Sequence, residues 1–225
     1  MSLKNIEDYE DLVIKICPNE SEGDIVELGG LVIMLPKQPN KKAIFGNNKK
    51  VQVWEREKLP EELRRIKSMD DWAEMPKEFR QKFQPYIEEE FRRRKEGFWF
   101  YNDGEPTYIT GRHYMTLQWT KFDVGYPNYL SFQRDIFLHM AACEADPRCV
   151  GQLYTKCRRS GYTNICSSVL LDESTQVKDK LLGIQSKTGK DAQENIFMKK
   201  LVAMFRSYPF FFKPIQDGTT NPRME

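Results

Sequence analysis

The sequence predicts an α/β protein, with a parallel sheet and helices in its second half and a mixed α+β region in its first half. Apolar β-like runs alternate with helical patterns after residue 148, and charged helical segments fill residues 59–95. An aromatic β-hairpin is predicted between these two regions. We therefore expect an N-terminal accessory region, residues 1–95, and a second domain, residues 96–225.

The accessory region begins with short apolar runs separated by turn signals. DLVIKI and ELGGLVIML are separated by PNESEGD and followed by PKQPNKK, which predicts a few short strands or loops. From Leu59 to Lys95 three segments each begin with a proline: PEELRRIKSMDDW, PKEFRQKF and PYIEEEFRRRK. Because proline suits the first turn of a helix, these segments predict three short charged helices.

The second domain begins with a hairpin signal. Asn102-Asp103-Gly104 lies between two aromatic-rich runs, and this type of turn sequence favours a two-residue hairpin loop. SFQRDIFLHMAACEADP then predicts a helix that ends at Pro147. Its predicted apolar side consists of Ile136, His139, Met140 and Cys143.

The rest of the chain predicts two strand–helix pairs. VGQLYT and KLLGIQS have the length and composition of buried strands, and TNICSSVLLDES and DAQENIFMKKLVAMFRSYP have helical spacing. The small residues Ser167 and Ser168 would allow the first of these helices to pack closely. Strand, helix, strand, helix is typical of a parallel α/β sheet.

Composition indicates a folded protein without a metal framework. Hydrophobic residues make up 40% and charged residues 30% of the 225 residues, which is too apolar for wholesale disorder. No apolar run approaches the roughly 20 residues that cross a bilayer, and no signal peptide opens the chain, so a cytosolic protein is expected. The five cysteines form no CxxC pair, which argues against zinc and against a disulfide framework.

Positive charge is concentrated late in the chain. The net charge is only +2, yet residues 148–213 carry 12 basic and 5 acidic side chains. A polyanion is expected to bind there. A solvated basic surface is the alternative.

This basic region includes the stretch TKCRRSGYTN, Thr155–Asn164, which has the layout of a phosphate-binding loop. Gly161 permits close approach of the backbone, and Thr163 occupies the position of the hydroxyl that binds Mg²⁺. Tyr162 replaces the usual lysine, while Lys156 precedes the glycine and lies at the start of the loop. The predicted flanking strand and helix favour a phosphate loop, and an ordinary basic turn before a helix is the alternative.

From about Tyr129 onward the chain resembles the ATPase portion of the large terminase subunit of tailed bacteriophages, the motor that packages DNA. YLSFQRDIFLHM is similar to the adenine-binding segment of that family, and KCRRSGYT resembles its variant loop with the lysine at the beginning. LLGIQSKTGKDAQENIF and PFFFKP are similar to the strand, helix and turn that follow. The resemblance covers roughly half the chain and implies an incomplete P-loop NTPase sheet.

The resemblance also implies a role for individual residues. Gln133 would pair with the adenine edge, Phe132 would pack against the base, and Lys156 would bind phosphate oxygens. Arg158 would stabilise charge on the γ-phosphate during catalysis, and Thr163 would hold Mg²⁺. The remaining expected ATP contacts in the loop are Arg159, Ser160, Gly161 and Tyr162.

Two further segments have partial signatures of such a site. VLLDES contains Asp172-Glu173 after an apolar run, like an acidic ATPase strand, but it falls on the predicted helix of the loop itself. GIQSKTGKD nearly matches a phosphate loop, with one spacer residue too many. Its Lys187 and Lys190 are expected candidates for phosphate contacts with DNA.

For a full-length protein, the resemblance implies an ATPase that moves duplex DNA into a procapsid and cuts it. The implied partners are duplex DNA, a small terminase subunit and the portal or procapsid, and the implied assembly is a homo-oligomeric ring. The implied location is the cytoplasm of an infected bacterium, with no membrane as a partner. The chain ends before the acidic Walker B strand and the nuclease domain, so we expect this portion to be inactive by itself. We also expect its aromatic residues Tyr208 and Phe210–Phe212 to be exposed. A helicase-like nucleic-acid ATPase and a non-enzymatic module that binds nucleic acid or a capsid component are the alternatives.

Overall fold

The computed structural model describes residues 13–46, 54–158, 160–177 and 180–214. In chain order its strands and α-helices are β1 (Val13–Lys15), β2 (Ile25–Leu28), β3 (Leu31–Met34), α1 (Met69–Glu74), α2 (Lys77–Glu96), β4 (Phe98–Asn102), β5 (Glu105–Ile109), α3 (Gly111–Gln118), α4 (Ser131–Ala145), α5 (Tyr162–Gln176) and α6 (Ala203–Ser207). A π-helix, Asp191–Val202, runs directly into α6.

The described residues form two compact units. The first consists of residues 13–46, Trp54, Glu96–His113 and Tyr129–Lys156. The second consists of Glu55–Lys95, Tyr114–Asn128 and the described residues from Cys157 onward. The expected domain boundary between residues 95 and 96 stays a prediction.

The first unit contains both sheets. β3 lies between β1, to which it is parallel, and β2, to which it is antiparallel. β4 and β5 form the predicted antiparallel hairpin, in which Asp103 and Gly104 have φ angles of 50° and 84°. Two successive positive φ angles are typical of the type I′ turn, whose twist matches that of the strands. The short N-terminal strands and the hairpin are therefore confirmed.

Helix α4 packs against β1, β3 and β5 in this unit. The helix itself was predicted correctly, and of the four residues expected along one side Met140 is buried while the other three are partly buried. Phe137, Leu138 and Ala142 are buried, whereas Ile136 and Cys143 are only partly buried. The difference arises because α4 contacts two separate sheets, and the broad buried surface that results is not a single helical stripe.

In the second unit, two of the predicted charged helices form one. Helix α2 continues through Pro85, although a proline inside a helix removes one hydrogen bond and costs about 3 kcal/mol. Phe83, Ile87 and Arg94 are buried along one side of α2. Because residues of this side are buried both before and after Pro85, their burial offsets the cost of the proline and the helix continues through it. The prediction that a helix starts at Pro85 was therefore wrong.

The aromatic residues near the end of the described chain are buried, not exposed as expected. Phe210 lies 5.6 Å from Trp72 between ring centroids, and Phe212 lies 5.0 Å from Phe91. Tyr208 and Phe211 are also buried, with exposed fractions of 2% and 7%. These rings complete the core of the second unit because α1 and α2 supply aromatic partners that the local sequence does not reveal.

The two strands predicted in the second half are not observed. Residues 150–155 and 181–186 are described without strand structure, and Val150, Leu153 and Leu181 are almost fully exposed. A strand requires a neighbouring strand to pair with, and neither segment belongs to the two sheets of the described residues. The described part of the chain is thus mixed α/β, with sheets of three and two strands, and a parallel sheet of the P-loop type is not shown there.

The predicted helices around the loop are present. Helix α5 covers the predicted TNICSSVLLDES segment, and the π-helix with α6 covers the last predicted helix, which stops before Pro209. The π-helix contacts both α5 and α6. Among the described residues, none of the helices is long and apolar enough to cross a membrane.

Candidate functional site

The predicted phosphate loop leads directly into the N-terminus of α5. Gly161 is the N-cap of this 15-residue helix and has left-handed backbone angles, with φ at 75°. Glycine adopts this conformation without the steric cost that a side chain would impose. The loop is therefore shaped by the one glycine that the sequence supplies, and the amides of the first turn of α5 follow it.

Polar side chains of this loop differ in exposure. The hydroxyl of Ser160 is buried and has no hydrogen-bond partner among the described residues. Arg158 and Thr163 are exposed, and Tyr162 is half-buried. Arg159 lies outside the described residues. An unpartnered hydroxyl beside a helix N-terminus is a free donor for an anion.

A lysine that sequence reasoning missed lies at the first turn of α5. The Nζ atom of Lys200 donates a hydrogen bond of 2.5 Å to Oδ1 of Asn164 and lies 3.6 Å from a carboxylate oxygen of Asp123. The side chain of Lys200 is only 18% exposed. It is 36 residues beyond Asn164, so only packing of the π-helix against α5 brings the two together.

The other expected ATP contacts belong to the first unit. Phe132 and Gln133 lie in the first turn of α4, where Phe132 is 47% exposed and Gln133 is 9% exposed. The backbone amide of Gln133 donates to the carbonyl of Leu130 at 3.0 Å. Lys156 is exposed in a segment without regular structure. The roles assigned to these three residues stay predictions.

Asp172 has a structural environment within the second unit. Its Oδ1 accepts a 2.9 Å hydrogen bond from Nε of Arg94, and its Oδ2 accepts one of 2.7 Å from Gln176. Arg94 also donates to the carbonyl of Asp172 at 2.8 Å and to the hydroxyl of Thr175 at 2.6 Å. The side chains of Arg94 and Asp172 are 4% and 1% exposed, so this is a buried ion pair between α2 and α5.

The second near-match to a phosphate loop contains two hydrogen bonds just before the π-helix. In GIQSKTGKD, the amide of Asp191 donates to Oγ1 of Thr188 at 3.1 Å, and that hydroxyl lies 3.1 Å from Oδ2 of Asp191. These contacts tie Thr188 to the first residue of the π-helix. Lys187 and Lys190 are exposed, and Lys190 lies 3.9 Å from Glu194. Their proposed DNA contacts stay predictions.

Histidine and acidic side chains do not form a metal centre in the described ranges. No group of three or more His, Cys, Asp or Glu side chains there could hold a metal ion. His113 is fully buried and stacks on Phe137, with ring centroids 4.6 Å apart. Burial, with the nearby charge of Arg134, lowers the pKa of His113 to about 3, so it is a neutral packing residue at physiological pH.

Comparisons of this chain with protein-family models, with curated proteins and with solved structures find no match. The functional assignment therefore depends on the residues themselves.

Proposed function

We propose that this chain is the ATP-binding portion of a DNA-translocating motor of the terminase type, with the triphosphate bound at the loop that precedes α5. The observation that supports this proposal best is the combination of Gly161 in a left-handed conformation with the buried, unpartnered hydroxyl of Ser160. Both lie where amides and the dipole of α5 favour an anion.

The proposal gives each nearby side chain a defined task. Ser160 donates to a phosphate oxygen, and Arg158, exposed in the same loop, stabilises the charge that develops on the γ-phosphate. The exposed hydroxyl of Thr163 holds Mg²⁺, which neutralises charge on the phosphates when it is bound. Lys200 is a further cation for this site, because it already contacts the first turn of α5.

The tasks of Phe132, Gln133 and Lys156 come from the family resemblance. Gln133 is assigned to the adenine edge because a carboxamide donates to N7 or N1 and accepts from the N6 amine. Phe132 is exposed enough to contact a base. A P-loop parallel sheet, duplex DNA as substrate and the ring of subunits belong to the same proposal. Asp172 is excluded as the catalytic carboxylate because Arg94 and Gln176 occupy both of its oxygens.

Equilibrium binding of Mg-ATP to Lys156→Ala and Gln133→Ala tests the proposal. Loss of one charge-assisted contact is expected to weaken binding by about tenfold or more in Lys156→Ala. Gln133→Ala is expected to lose the preference for ATP over GTP. Lys77→Ala removes an exposed lysine from α2 and is the matched control. ATP binding that is unchanged in both site variants rejects the site.

A non-enzymatic module that binds nucleic acid is the second candidate. It is favoured by the segments at 150–155 and 181–186, which belong to neither sheet of the described residues, so that the loop is described without the flanking strands of a phosphate loop. Salt-dependent DNA binding that ignores ATP would support it. Binding that changes with ATP would support the motor.

A further inference from the structure

The second unit contains a concave basic cavity that is lined by no residue of the phosphate loop. Its volume is about 490 Å³, which is within the usual range for a small-molecule site. Buried side chains form its floor, among them Ile66, Trp119, Tyr208 and Phe210. Cations form its rim: Arg56, Lys58, Arg64, Lys67, Arg206 and Lys213.

Charge is segregated around this cavity. None of the described carboxylates lines it, although the segment that supplies four of the cations also contains glutamates. Glu57 accepts a 2.8 Å hydrogen bond from Arg93, and Glu62 pairs with Lys82 at 3.2 Å. These two carboxylates are thus engaged outside the cavity, and the rim keeps a net positive charge that an anion would neutralise.

Several rim cations are held in place by neutral partners. Arg64 donates to the carbonyl of Leu59 at 2.9 Å, and Lys67 donates to the carbonyl of Arg64 at 2.7 Å. The guanidinium carbon of Arg56 lies 3.9 Å from the ring centroid of Tyr126. These contacts fix the positions of the cations without neutralising them, and a positioned charge loses less freedom when a ligand binds.

The cations also crowd one another. Burial lowers the pKa of Lys213, and the nearby ammonium of Lys67 lowers it further. An anion between these side chains would offset both effects, since it stabilises the charged form of each lysine.

We propose that this cavity is a second anion site, which binds a compact ligand that carries an oligophosphate group. The convergence of six cations on one concavity fits several phosphates close together, as in inorganic triphosphate or a nucleoside triphosphate. The aromatic floor can contact a flat ring if the ligand is a nucleotide. This site is independent of the phosphate loop proposed above.

The test is calorimetric titration with inorganic triphosphate and, separately, with ATP. The protein used carries Lys156→Ala, which is expected to weaken phosphate binding at the loop before α5. A triple variant changes the exposed rim residues Arg64, Lys67 and Arg206 to alanine. A control triple variant changes Lys77, Arg80 and Lys95, which are exposed outside the cavity, and alters the net charge equally. The rim variant is expected to bind triphosphate about tenfold more weakly or worse, and the control about as well as its parent.

The ligands distinguish the possible sources of the oligophosphate. Tighter binding of ATP than of inorganic triphosphate identifies a nucleotide, and equal binding identifies the phosphates alone; both support the site. An equal loss in both triple variants, or no triphosphate binding by the parent, overturns it. Rim-dependent binding of a single-stranded oligonucleotide without triphosphate binding also overturns it. Failure of this site leaves the effect of Lys156→Ala on ATP binding unchanged, so the two proposals fail separately.

Discussion

The buried ion pair between Arg94 and Asp172 leads to a prediction that separates structure from catalysis. Asp172→Asn keeps the shape of the side chain and removes its charge. The guanidinium of Arg94, 4% exposed, would then remain buried without its counterion. Because breaking a buried pair by removing one partner costs about 3–5 kcal/mol, we expect the free energy of unfolding to fall by that amount.

Urea denaturation measures this loss directly. With a denaturant slope of about 2 kcal/mol/M, the midpoint should fall by about 1.5–2.5 M. Glu62→Gln is the control, since it breaks the ion pair of Glu62 with Lys82. The Glu62 side chain is 50% exposed and the Lys82 side chain 63% exposed. This exposed pair should contribute little, and the midpoint should stay close to that of the parent.

A double variant completes the experiment. Arg94→Met with Asp172→Leu replaces both charges by apolar groups and should recover much of the stability that Asp172→Asn loses. An Asp172→Asn protein as stable as the parent would refute the structural role.

Two further predictions concern the first unit. His113 is stacked between Tyr129 and Phe137. Its folded-state pKa of about 3 lies below the value of an unfolded histidine, which is about 6.5. Burial of the neutral ring therefore contributes fully to the free energy of unfolding above pH 6.5, and this contribution is lost as the pH falls. The free energy of unfolding, measured in urea at pH 7 and at pH 5, should change less with pH in His113→Phe, by about 1.4 kcal/mol for each pH unit below 6.5. An unchanged pH dependence would contradict the burial of a neutral imidazole. Gly104→Ala should lower the free energy of unfolding by about 1 kcal/mol because Gly104 has φ at 84°. Gly183→Ala is the control, since nothing lies within 4 Å of the position that its added Cβ would take, and equal effects of the two changes would argue against the type I′ turn.

Local features of the fold were predictable where neighbouring residues determine them. The Asp103-Gly104 turn requires two positive φ angles that few other dipeptides accept, so the hairpin could be identified from sequence. The helical spacing of SFQRDIFLHMAACEA and the proline that follows were sufficient for α4. Pro85 was misleading because burial of Phe83 and Ile87 outweighs the local preference of proline.

Some features of the candidate site could likewise be predicted from neighbouring residues, whereas others depend on residues that are distant in the chain. A glycine with a left-handed conformation before a helix could be expected from SGYTN, since Gly161 is the one residue there without a side chain. The contact of Lys200 with Asn164 and the pairing of Arg94 with Asp172 could not, because these residues are 36 and 78 positions apart. The basic cavity likewise combines residues 56–67 with residues 206–213.

The sequence by itself determined the turns, most of the helices and the basic character of residues 148–213, because backbone sterics and side-chain charge act over a few residues. Only the tertiary structure decided which apolar runs become strands and which cations converge. The runs at 150–155 and 181–186 have β-like composition, yet a strand exists only where a second strand supplies hydrogen bonds. The same dependence on distant partners made Asp172 a buried structural carboxylate and brought six cations around one cavity.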